Sequence, residues 1–77
     1  MRAVRPEEVM KILEITDSLN LHREKVFIPL QTEENGTATL QSDGRVRIVC
    51  PREGATEEWL KQLRIAIETI TTKSRVN

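Results

Sequence analysis

From Val26 to Cys50 the apolar side chains fall mainly on even positions: Val26, Ile28, Leu30, Ala38, Leu40, Val46, Ile48 and Cys50. Between them stand Lys25, Phe27, Pro29, Gln31, Thr37, Thr39, Gln41, Arg45, Arg47 and Val49. Successive side chains of a strand point to opposite faces, so a period of two predicts strands with one buried face and one open face. This pattern limits how the strands can be joined. Antiparallel neighbours sharing a buried face must have residue numbers that sum to an even value, so each loop between them holds an odd number of residues.

Ser42, Asp43 and Gly44 satisfy that rule as a three-residue hairpin loop, a type I turn followed by a left-handed glycine. The register then opposes Leu40 to Val46 and Ala38 to Ile48. By the same rule the TEENG connection is expected to be a loop of three or five residues, although Asn35-Gly36 alone resembles a two-residue turn. Pro29 has no N–H to give a ladder, which places the first strand at an edge. The expected sheet is an antiparallel meander with the strands in sequence order.

On either side the period changes to that of a helix. Pro6, Glu7 and Glu8 suit a first helical turn, and Val9, Ile12, Leu13, Thr16 and Leu19 share one stripe up to about Leu19, widened by Met10 and Ile15. After Pro51 and Gly54, Thr56 is a good N-cap for a second helix reaching about Thr71, with Trp59, Leu60, Leu63, Ala66, Ile67 and Ile70 on its inner stripe. Ile65 interrupts the polar side of that helix and reads as an ordinary exposed residue or a dimer contact.

The fold class expected from these elements is α+β in the order α-β-β-β-α, with both helices packed on one face of the three-stranded antiparallel meander. A chain of 77 residues makes one small domain, with an ordered core over about 6–71 and a basic frayed tail over 72–77. The other sheet face is left bare. Its candidate binding surface is Phe27, Pro29, Thr39, Gln41, Arg45, Arg47 and Val49, with Thr39 opposite Arg47 and Gln41 opposite Arg45.

Composition narrows the chemistry. Basic and acidic residues cancel, 12 against 12, which argues against sequence-blind attachment to nucleic acid or anionic lipid. No apolar run is long enough for a membrane span, and the first residues carry no secretory pattern, so a cytoplasmic location is the expectation. One cysteine, Cys50, and one histidine, His22, offer no metal-ligand cluster. The glycines fall singly, not in a phosphate-binding loop, and the paired glutamates sit at helix starts or a loop tip. No cofactor and no small-molecule substrate are expected, nor any enzymatic activity.

The order of elements, with the strand DGRVRIVCP ending before a helix, resembles that of double-stranded-RNA-binding domains and of small toxins of the HicA type. That resemblance implies the same α-β-β-β-α plan. The residues depart from both families. Glu57 and Glu58 stand where the RNA-binding family has a lysine pair gripping phosphates, and GTATLQ lacks the toxins' catalytic histidine. Neither activity is carried over. The expected function is a small intracellular interaction or regulatory module that binds a protein partner or itself; the alternative is a nucleic-acid-binding module using Arg45, Arg47 and Phe27.

Overall fold

The computed structural model describes residues 2–75. Its elements are α1 (Pro6–Ser18), a 3-10 turn (Arg23–Lys25), β1 (Val26–Phe27), β2 (Thr37–Leu40), β3 (Val46–Val49) and α2 (Glu57–Arg75), an α+β arrangement.

Proline occupies the first turn of α1, where its missing N–H costs nothing. The helix ends at a left-handed Asn20 (φ 60°): the Asn20 N–H donates to the Asp17 carbonyl and the Leu21 N–H to that of Thr16, so two orphan carbonyls are satisfied. α2 starts as expected, with the Thr56 hydroxyl accepting the Trp59 N–H at 3.2 Å. It runs past the expected end at Thr71 because Thr72 to Arg75 contain neither glycine nor proline to stop it. Residues 76–77 of the expected tail lie outside the described residues.

Both helices cover the even-numbered face. Ile12 of α1, Val46, Ile48 and Cys50 from β3 and its end, and Leu63 and Ile67 of α2 form the core, flanked by Val26, Ile28, Ala38, Trp59 and Leu60. Burying each large aliphatic side chain contributes about 1.5–3 kcal/mol, and Ile12, Ile48 and Ile67 are fully enclosed.

The β2/β3 hairpin has the expected register: Leu40 opposes Val46, Thr39 opposes Arg47 and Ala38 opposes Ile48. The Gly44 N–H donates to the Gln41 carbonyl at 3.0 Å, the Gln41 N–H to the Arg45 carbonyl at 2.7 Å, and Gly44 has φ 89°. A glycine in that left-handed position is what a three-residue loop needs.

The meander is not formed. The strand order is β1-β3-β2, with β1 parallel to β3 (Val26 beside Val46, Phe27 beside Arg47) and β3 in the centre. The sheet is therefore mixed, and the resemblance in element order does not extend to a sequential antiparallel sheet. Pro29 does lie on an edge element, but past the end of the short β1.

The physical reason is the connection from Ile28 to Gly36. Instead of turning back beside β1, it continues along β3, where the Glu33 N–H donates to the Cys50 carbonyl at 3.2 Å. It then passes the end of β3 and re-enters the sheet on the far side as β2. Gly36 makes that passage possible. A Cβ there would stand 2.7 Å from Cδ of Pro51 and overlap the indole nitrogen of Trp59.

The N-terminal arm adds a further rung outside this connection. Ala3 bridges Gln31 antiparallel, the Val4 N–H donates to the Leu30 carbonyl at 2.7 Å, and the Thr32 N–H to the Arg2 carbonyl at 2.8 Å.

Candidate interaction surface

The register aligns three outward side chains across the sheet: Phe27 on β1, Arg47 on β3 and Thr39 on β2. Arg45 and Gln41 form the next row towards the hairpin. Phe27 is 50% exposed, unusual for the one phenylalanine of a chain with so small a core. Of the expected surface, Phe27, Thr39, Gln41, Arg45 and Arg47 do share this face.

Two members do not fit the expectation. Val49 is buried, at 1% exposure, although alternation turns it away from the helices. Glu33, on the crossing connection, reaches Arg47 (Oε2 to Nη2 3.8 Å), the same-face neighbour of Val49, so the Glu33 side chain lies at this end of the face. Pro29 is half-buried beyond β1 and is no centre of an open patch. Conversely, two even-numbered residues expected inside stand out: Leu30, after β1 has ended, and Leu40, at the free margin of β2.

The arginine row is neutralised within the chain. Arg45 Nε donates to Asp43 Oδ2 at 2.8 Å, and the Asp43 carboxyl is held below its ordinary range by the Arg45 backbone N–H and then by its side chain. Arg47 has Glu33. The face thus combines an exposed aromatic with hydroxyl and amide groups and two guanidinium groups that each have a carboxylate neighbour.

A second cluster carried no signal in the sequence. Glu8, one of two glutamates expected merely to favour the helix dipole, is 7% exposed. Its two oxygens each accept from Arg2, Nη1 to Oε1 and Nη2 to Oε2, both at 2.8 Å. Oε1 also accepts the Arg5 N–H at 2.9 Å; Oε2 accepts the Ala55 N–H at 3.1 Å and faces the Cys50 thiol at 3.6 Å. Chiefly the Arg2 bond, followed by those backbone N–H groups, draws the carboxyl down to about 2 against the opposing effect of burial.

Arg2 is completed by the carbonyls of Arg52 and Ala3. Gly54 (φ 103°) closes over the pair: a Cβ there would approach Glu8 Oε2 at 2.9 Å. A carboxylate so fully supplied with donors is a poor general base. Cys50, buried beside it, has its thiol pushed up to about 11, first by desolvation and then by the Glu8 charge, which makes it an unreactive thiol. Its polar contact is Glu8, not the exposed His22.

A groove of about 670 Å³ lies between the outer sides of the helices, with Ile15, Leu60 and the exposed Ile65 among lysines, Arg64 and glutamates. Among the described residues no group of three or more His, Cys, Asp or Glu side chains could hold a metal ion, and no helix is long and apolar enough to cross a membrane. Comparison with known proteins finds no matching family model, no similar curated protein and no similar solved structure.

Proposed function

We propose that this chain is a small non-enzymatic interaction module that binds a protein partner through the outer face of its sheet. The observation that carries the reading is the row Phe27, Arg47, Thr39, an exposed aromatic held on rigid backbone beside a guanidinium that already has a carboxylate partner. Aromatic and arginine side chains dominate the energetics of protein contacts, the aromatics because they bury a large area at the cost of only two rotatable bonds and arginine because its planar guanidinium makes several directed hydrogen bonds. Among the described residues the two titratable groups with large shifts, Glu8 and Cys50, are both spent in holding the fold, which supports a binding role over a catalytic one.

The test is quantitative capture from cell extract on immobilised wild-type protein and on the double variant Phe27→Ala, Arg47→Ala. A partner retained by the wild type and by Ile65→Ala, but lost with the double variant, is the expected result. The nucleic-acid alternative makes the opposite demand. A mixed RNA and DNA pool would have to bind with affinity falling steeply in salt and lost with Arg45→Ala, Arg47→Ala. Such binding would replace the present reading.

A further inference from the structure

We infer that β2 is a self-complementary edge through which two copies of this chain pair antiparallel about a two-fold axis at Thr39. In an antiparallel ladder, residues alternate between those whose N–H and C=O face the partner strand and those whose groups face away. The Gln41 N–H donates to the Arg45 carbonyl, so in β2 the odd residues serve β3 and the even ones, Ala38 and Leu40, turn both groups to the free margin. No described residue hydrogen-bonds to them there.

That spacing is self-complementary. With Thr39 of one protomer opposite Thr39 of its partner, Ala38 of each faces Leu40 of the other, and every outward N–H meets an outward carbonyl. No like charges are opposed, because the segment Asn35 to Ser42, NGTATLQS, has no charged residue in a chain that is 31% charged. Natural edges are usually guarded by lysine, proline, a bulge or an inward charge. β2 has none of these.

The helix above the edge provides an independent second observation. α2 packs beside β2, with Trp59, Gln62, Leu63 and Ala66 lining the seam against Gly36 and Ala38. Its flank on that side carries the uncharged Trp59, Gln62, Ala66 and Ile70 between the charged positions Glu58 and Lys73, whereas Lys61, Arg64 and Glu68 lie on other sides. The edge and the Trp59–Ile70 stretch of the flank adjoin along the seam as an uncharged strip, and Leu40, farther along the edge, is 42% exposed. Pairing here joins two three-stranded sheets into one and lines up Phe27, Arg47, Thr39 and their copies as a single row, so a partner of the outer face meets it twice.

Sedimentation equilibrium up to about 1 mM protein, with charge swaps at Thr39, tests this. The wild type is expected to dimerise. Thr39→Lys alone and Thr39→Glu alone should each weaken association about tenfold by setting like charges face to face, and an equimolar mixture of the two should recover it. Circular dichroism on each variant verifies that it is folded. A wild type that stays monomeric at the top concentration overturns the inference, as does a dimer indifferent to both swaps. If Phe27→Ala dissolves the dimer and the Thr39 swaps do not, the outer face is the self-contact and the edge is not. Loss of the edge dimer would leave the partner-binding reading of the outer face standing.

Discussion

The two margins of this sheet are finished in opposite ways. On the β1 side the strand is two residues long, Pro29 follows it, and the N-terminal arm lies against residues 30–32 with its own hydrogen bonds. That arm is fastened by Arg2 to the buried Glu8. On the β2 side a longer, uncharged strand ends in open N–H and C=O groups. One margin uses its hydrogen bonds inside the molecule; at the other no described residue takes those of Ala38 and Leu40. A small sheet can thus be closed at one edge by a local ion pair and left available at the other.

The largest test of the closed margin is Glu8→Ala. It removes the two carboxylate oxygens to which the Arg2 guanidinium donates and the acceptors of the Arg5 and Ala55 N–H groups, and losing one side of this half-buried pair costs about 2–3 kcal/mol, a large part of the stability of a domain this small. Urea denaturation should show it, with reduced amide protection at Val4 and Thr32.

Acid should reproduce part of that loss without mutation. The folded Glu8 carboxyl lies at about 2, below its ordinary value of 4.5, so the folded state binds its proton less readily than the unfolded one. The resulting stability is fully present above about pH 4.5 and disappears as the pH falls towards 2. It amounts to on the order of 2 kcal/mol. Wild type should therefore lose more stability than Glu8→Gln between pH 5 and 2. Equal slopes would mean that the pair does not hold the arm.

Gly36→Ala examines the crossing that separates the two margins. The added methyl meets Trp59 and Pro51, and overpacking of this kind costs about 1–2 kcal/mol, measurable as a lower thermal midpoint. A neutral result would show that the connection can move away from α2.

The hairpin was legible from residues alone because Asp43-Gly44 and the even-numbered pattern impose the same loop. Strand order was not. Residue numbers that sum to an even value also differ by an even value, so Val26 beside Val46 in a parallel pair keeps the same face inward as any antiparallel partner would. The length of the segment from Ile28 to Gly36 was the available sign that a tight return was absent. Val49 could not be placed by alternation, since it is buried although it stands outside the core cluster beneath the helices. Glu8 looked like Glu7 in sequence; only the return of Arg2 and Ala55 to the same point distinguishes them.

The smallest effect bears most directly on the open margin. Amide exchange at low protein concentration should find Thr37 and Thr39 protected by their bonds to β3, Val4 and Thr32 protected on the arm, and Ala38 and Leu40 exchanging freely, because these last two amides face outward. Raising the concentration should slow Ala38 and Leu40 alone within β2. Each is expected to gain at most a few-fold protection when dimer and monomer are equally populated, since exchange then proceeds through the monomer. Protection at both amides that does not change on dilution would mean that they are bonded within one chain, and the two margins would no longer differ.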